Sequence, residues 1–353
     1  MSSEALRPSQ QRAGVIIRQF RLGSARNVAP GLFHVRMPGI VEVLLPGCVT
    51  VMSSRGSHLF GAFLALAAGT VFSFGSITIR ESPHLDAVQY LIWRSFGLLP
   101  LVLGVALLQG KSPLRQMISG GWLGLGGALC MTVMADLFIF AMKTTTIANA
   151  LLFSSAAPLI GAILARLILK ERILVATWCG IAIGIAGLLI MTWGELGSGN
   201  AIGNLAAFGV GFAYGLYSII ARLGRDRDMS GVVTGWAVLT ILTCGAFMTL
   251  RGITIATPML ENTYAMIHGA VFIGGGMYLL NAAARHVGAG QLTLLAQTEM
   301  ILGPVWVYLF FNEAPRLTTV LGGGVLLAGV LVAALGRSFA RDEEEEAAAR
   351  ASV

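Results

Sequence analysis

Four ionisable side chains stand inside otherwise apolar runs: Arg94 in YLIWRSFG, Asp136 in VMADLFIF, His268 in AMIHGAVF and Glu299 in AQTEMILGP. A charge in such a run is expensive to desolvate, so it marks a substrate or ion pathway by default. No Lys or Arg of any apolar run stands at the depth of Glu299. A carboxylate without a counter-charge there favours its protonated form and is suited to carrying a proton or meeting a cationic group. The alternative is a neutral acid hydrogen-bonded to a neighbouring helix. Arg94 and Asp136 fall in the same half of the bilayer, where they either pair as a latch that neutralises two buried charges or contact substrate at a gate. His268 is either a proton carrier or a hydrogen-bonded packing residue.

Polar and helix-breaking residues surround these four. Gln297 is two residues from Glu299, about 200° round a regular helix, so the two do not face one cavity. Pro304 removes the bond to the Met300 carbonyl and is expected to kink its helix just past Glu299, as Pro158 does to the Ser154 carbonyl. Interrupted helices at corresponding places in two halves of a chain point to a midplane site, which adds Ser154 and Tyr278 to the candidates. Trp93, Tyr90, Phe74, Tyr214 and Tyr217 either line an aromatic cavity or sit in interface belts. Enzyme signatures such as H-E-x-x-H, G-x-S-x-G and G-x-x-x-x-G-K-[ST] are absent. A nucleophile and base would have to come from Ser154, Ser155 and His268. The four cysteines, Cys48, Cys130, Cys179 and Cys244, are scattered singly and suggest neither a metal site nor a disulfide framework. No cofactor is implied.

Lipid must solvate the elements that hold these residues. The chain is 56% hydrophobic and 12% charged, with mean hydropathy +0.78, against a charged fraction of about 25% in soluble domains. The net charge of +7 does not point to nucleic acid, because its Lys and Arg gather in the N-terminal arm and in alternate loops rather than in an aromatic-interleaved basic face. Ten apolar helices of bilayer-spanning length follow one another, at about 58–79, 86–108, 121–142, 147–168, 174–194, 201–222, 231–251, 264–284, 290–311 and 316–336. Residues 1–56 are different material, Arg- and Pro-rich, and read as a disordered or interfacial arm or as a start codon taken too early, since Met52 opens directly before the first span. Residues 337–353, with the run Asp342 to Glu346, read as a solvated acidic tail.

The chain repeats itself. Adding 142 to a residue number pairs Gly61 with Gly203, Arg80 with Arg222, Lys143 with Arg285, Gly180 with Gly322 and Glu171 with Glu313 without a gap. Each repeat, 57–194 and 201–336, carries five spans. A unit with an odd number of crossings ends on the opposite side of the membrane, so its duplicate enters upside down. The expected fold is an all-α membrane protein of ten transmembrane helices, two inverted five-helix repeats around a central cavity. Loop charge sets the orientation: the seven Arg of the arm, then Lys111, Arg115, Lys170, Arg172, Arg222, Arg225, Arg227, Arg285, Arg337 and Arg341 fall on one side, and Arg80, Lys143, Arg251 and Arg316 on the other. The richer side is cytoplasmic, which puts both termini inside.

With Pro158 followed by LARLILKER, then AQTEMILGPVWVYLFFNE, and with GIAIGIAG and GGGVLLAG closing the halves, residues 59–336 resemble the drug/metabolite transporter superfamily and its ten-helix EamA-type permeases. The resemblance implies secondary transport of a small molecule through a cavity between the halves of an inner-membrane permease. It also implies efflux of amino acids, related metabolites or drugs, with an Arg at the place of Arg94, while the reading of Glu299 makes protons a candidate coupling ion. One departure stands out: Met300 occupies the repeat position of Pro158 and Pro304 comes one turn later, so the halves need not bend alike. The rival readings are a membrane-embedded enzyme or lipid-modifying protein, and a passive channel.

Overall fold

Apolar runs of about 20 residues leave the backbone no choice in lipid, since a helix satisfies every peptide group within the segment. The computed structural model describes residues 54–351 except 111, 171–172, 196–200, 225 and 288, and side chains only outside 54–57, 194–195, 289–290, 293 and 337–351. The N-terminal arm up to residue 53 and the acidic side chains Asp342 to Glu346 therefore lie outside the described residues.

Among the described residues there is no strand, and ten helices are long and apolar enough to cross a membrane. They are α1 His58–Arg80, α2 Ala87–Leu108, α3 Gly121–Thr144, α4 Ile147–Ile168, α5 Val175–Trp193, α6 Ala201–Leu223, α7 Val232–Arg251, α8 Met259–Ala283, α9 Leu294–Phe311 and α10 Leu317–Gly336. Leu, Phe and Trp side chains such as Leu107, Trp122, Trp178 and Leu250 point outward, the reverse of a chain that folds in water. The tail continues α10 as one helix to Ala351. The α8 helix begins five residues earlier than its hydropathy suggests, because Pro258 precedes its first turn and Glu261 sits within it. Pro at a helix start needs no N–H partner, while the carboxylate masks the turn from a hydropathy reading.

The duplication is visible in the packing. Helices α5 and α10 are repeat counterparts, and they meet through glycines that are also counterparts. A Cβ on Gly180 would lie 2.5 Å from the Gly329 carbonyl, and one on Gly187 would lie 2.6 Å from the Gly322 carbonyl. The lower-numbered glycine of one helix meets the higher-numbered glycine of the other, so equivalent helices run antiparallel and the halves are inverted. Only small residues let two backbones approach this closely. The other contacts follow the same exchange: α6 packs on α3 and α4, and α1 packs on α8 and α9. Lys170 and Asn312, the non-glycine residues with positive φ (56° and 55°) among those described, are counterparts at the ends of α4 and α9.

Several spans are discontinuous at mid-length. The α1 helix breaks at Phe74, where Ser73 Oγ donates to the Thr70 carbonyl at 2.6 Å and Ser76 Oγ to the Ser73 carbonyl at 2.7 Å. The α4 helix breaks at Ser155 and Ala156, just before Pro158, and α8 runs as a π-helix from His268 to Gly275. The α9 helix breaks at Gln297 and then continues as a helix through Pro304. The break sits where Thr298 Oγ1 takes the Leu295 carbonyl at 2.6 Å, as Ser155 Oγ takes that of Leu152 at 2.6 Å in α4. A hydroxyl bonded back to a carbonyl three residues earlier competes with the helix ladder. Ser155 and Gln297 are repeat counterparts, so the halves bend alike even though only one has a proline there.

Candidate functional site

The irregular stretches converge. A small pocket is lined by Phe72, Ser73, Gly75, Ser76 and Ile79 of α1, Phe138 and Met142 of α3, Leu151 of α4, His268 of α8 and Glu299 of α9. Three of these helices belong to one repeat's share of the chain and two to the other's. The Glu299 carboxylate makes no hydrogen bond or ion pair, and within its pocket the one other ionisable side chain is His268. The breaks in α1 and α9 and the π turn of α8 aim these groups at one space. Insertions of this kind recur where backbone must line a cavity.

His268 is held by a chain of hydroxyls. Its Nδ1 meets Tyr90 Oη at 2.8 Å, Tyr90 Oη meets Thr78 Oγ1 at 3.0 Å, and Thr78 donates to the Gly75 carbonyl at 2.8 Å. The ring's Nε2 lies over Gly75, where a Cβ would come within 2.5 Å of it. Glycine at 75 is therefore what lets the imidazole reach α1. Tyr90 is fully buried, and Phe74 stacks on Trp306, whose Nε1 donates to Ser73 Oγ at 2.8 Å.

Arg94 and Asp136 do not form the expected latch. Both are described, yet no nitrogen–oxygen approach within 4.0 Å joins them. Arg94 Nη2 and Asp136 Oδ1 are buried without a hydrogen-bond partner. The guanidinium lies 5.4 Å from the ring centre of Trp236. Residue 236 is the repeat counterpart of 94, and a residue touching its own counterpart lies on the axis that relates the halves.

The remaining candidates divide plainly. Ser154 Oγ is committed to the Ala150 and Ala207 carbonyls at 2.7 and 3.2 Å, and Ser155 Oγ to Leu152; with His268 bonded to Tyr90, no serine–histidine pair forms. Tyr278 is 54% exposed and is not among the residues lining this pocket. Gln297 Oε1 is buried without a partner at the α9 break, apart from the pocket-lining set. Pro158 opens the second segment of α4, and Pro304 lies inside α9. Among the described residues, no three His, Cys, Asp or Glu side chains gather as a metal site would need.

The end of the bundle beyond the pocket, where α1 and α9 finish, is tied shut by contacts that hydropathy does not reveal. Arg80 and Glu313 form a two-pronged ion pair, Nη2 to Oε1 and Nε to Oε2, both at 2.8 Å. The same carboxylate accepts from the Ile147 backbone at 3.3 Å. Lys143 Nζ donates to the Ser82 and Ile79 carbonyls, His84 bonds Glu261 at 2.5 Å, and Gln89 Nε2 donates to the Thr254 carbonyl at 2.8 Å. The readable signal for the Arg80–Glu313 pair was the match of each residue to its counterpart, Arg222 and Glu171.

The chain is similar in sequence to known proteins. The chain is 26% identical over 295 residues to an uncharacterized transporter of Methanothermobacter thermautotrophicus, covering 80% of this chain and 79% of that one. It is 22% identical over 295 residues to human solute carrier family 35 member G1, covering 79% and 80%. Uncharacterized transporter YyaM of Bacillus subtilis is 26% identical over 292 residues, 74% of this chain and 83% of that protein. A solved structure titled only as a crystal structure of a protein superposes with a TM-score of 0.55 at 19% identity, across 81% of this chain and 99% of that one, a likeness of fold alone. Residues 59–193 and 201–335 each match the EamA-like transporter family. With most of its length in those two matches, and ten apolar helices built as inverted repeats, this multi-pass membrane protein belongs to the EamA-like transporter family.

Proposed function

We propose that the protein is a secondary transporter that moves a small metabolite, an amino-acid-like compound or a drug across the inner membrane by alternating access, in the direction of efflux. Residues 57–194 and 201–336 are its two working halves, with the arm 1–56 and the tail 337–353 on the cytoplasmic side as loop charge requires. The observation that carries this reading is the Glu299 carboxylate, left without a partner beside His268 in a pocket bounded by both halves.

A carboxylate so placed exchanges a proton, or a cationic group, according to which side of the membrane the pocket faces. A separate hydrogen-bonded chain runs from His268, which lines the same pocket as Glu299, through Tyr90 to Thr78 on the helix that ends at Arg80. Opening that end requires breaking the Arg80–Glu313 ion pair and the hydrogen bonds of Lys143, Gln89 and Glu261, and separating the buried residues Ile79, Leu85 and Ile147 around them. Inverted halves make the reverse movement available at the other end by the same geometry.

The test is flux in everted vesicles carrying the full chain, with a panel of amino acids, amines and drugs, with and without a proton gradient. Gradient-dependent accumulation of at least one compound is expected, and its absence across the panel, with the protein shown to be inserted, refutes the reading.

A further inference from the structure

Five buried polar atoms on the mutually packed helices α2, α3 and α7 have no hydrogen-bond partner: Trp93 Nε1, Arg94 Nη2, Asp136 Oδ1, Trp236 Nε1 and Thr240 Oγ1. Arg94 is 2% exposed and Thr240 fully buried. Trp236, Thr240 and Cys244 are spaced four residues apart, so they share one face of α7, and Arg94 feels both the Trp236 ring and the Cys244 thiol on that face. Tyr90, Asp136, Cys244 and His268 all interact electrostatically with the guanidinium. A buried guanidinium without a hydrogen-bonded counter-charge is among the most costly arrangements a membrane interior can hold. Native chains satisfy more than nine in ten buried polar groups.

We infer that the α2–α3–α7 wedge is a binding site for the carboxylate of the transported molecule, with Arg94 Nη2 as the charged donor, the indole N–H of Trp236 and the Thr240 hydroxyl as neutral donors, and Asp136 as the positioning residue that turns the guanidinium. The set is donor-rich and carries one fixed cation, which is the composition a planar carboxylate completes. Trp236 closes one face of the guanidinium and leaves its edge for the ligand. Tyr90 lies between this wedge and the Glu299 pocket, bonded to His268 on one side and near Arg94 on the other. A molecule with a carboxylate at Arg94 and a cationic or polar group toward Glu299 spans the two loci, so the preferred cargo is zwitterionic or anionic. The inference rests on the transporter reading for what the site serves, and on the geometry alone for what it binds.

The experiment uses the purified full chain in lipid nanodiscs and matched probes, L-phenylalanine with its primary amide and phenylacetate with phenylacetamide. Ligand binding to the folded state raises the unfolding midpoint. Carboxylates are expected to raise it and amides are not. Arg94→Gln removes the difference, with a loss of about tenfold or more in apparent affinity, as for any buried charge-assisted pair that loses one partner. Trp236→Phe keeps the ring and removes one donor, so it weakens carboxylates severalfold and decides the matter should Arg94→Gln not fold. Equal stabilisation by acids and amides, or no response of the carboxylate effect to either substitution, overturns the site and leaves a bridging water between Arg94 and Asp136 as the explanation. Gradient-driven flux without carboxylate preference defeats this inference alone, whereas carboxylate binding without flux of any compound defeats the transporter reading alone.

Discussion

The helices α4 and α9 occupy the same place in the two repeats, and they have the same backbone and opposite chemistry. Both break at counterpart residues, Ser155 and Gln297, and both end on a left-handed residue, Lys170 and Asn312. In α4 the break is sealed: every residue from Ile147 to Ser154 is buried, and the two serines spend their hydroxyls on carbonyls. Asn149 is bonded to Thr145 and to Thr319 of α10. The apolar window of α4 is 56% buried, that of α9 only 11%, and α9 presents Glu299 to a pocket and Gln297 without a partner. Duplication conserves the bend because packing around it recurs, while a titratable group is needed only once.

The comparison is most directly broken by changing the chemistry on one side of it. Glu299→Gln is expected to remove gradient-driven flux, by at least the factor of 10² to 10⁴ that a positioned proton carrier typically contributes, while Ala157→Ser at the counterpart position of α4 changes flux by less than about twofold. Vesicle flux measured on both variants checks this, and equal losses would erase the asymmetry. Next come the glycines that lock α5 to α10. Gly180→Val and Gly322→Val, which are counterparts, should each lower stability by about 1–3 kcal/mol through overpacking, read as unfolding midpoints in detergent. A large effect at one and none at the other would contradict the inverted packing. Smaller still is the Arg80–Glu313 coupling. Both side chains are 26% exposed, so a double-mutant cycle should return about 0.5–1 kcal/mol, and a value several times larger would mean that the end is locked rather than latched. The smallest effect belongs to Pro304→Ala. Since the α9 break lies at Gln297, flux should stay within about twofold of wild type, and a collapse would restore the proline kink as the operative bend.

Much of the architecture was legible in residue types and spacing. Ten apolar runs, an offset that pairs Gly180 with Gly322 and Arg80 with Arg222, and an odd count per repeat lead to the inverted bundle by geometry. The ionisable residues within spans also stood out, and Glu299 and His268 do share a pocket. What the chain did not reveal depended on backbone irregularity. Hydropathy cannot register the π turn that begins at His268 or the break at Gln297, beside which the Thr298 hydroxyl bonds the Leu295 carbonyl. Charge proximity along two helices suggested an Arg94–Asp136 ion pair, yet sequence depth fixes only the level in the membrane and not the rotation of the helix. Trp236 was the missed partner of Arg94, and its signal was available: it is the residue that stands at Arg94's place in the second repeat.

The account stands or falls on whether the pocket is reached from one side at a time. Ser73, which lines it, can be changed to Cys in a full chain whose four native cysteines are replaced by Ala, and a membrane-impermeant thiol reagent applied to right-side-out and everted vesicles. Modification should occur from the side opposite the Arg80–Glu313 pair, shift to the other side when transport is driven by a proton gradient, and fail to shift in Glu299→Gln. Simultaneous modification from both sides, the behaviour of an open pore, would contradict it.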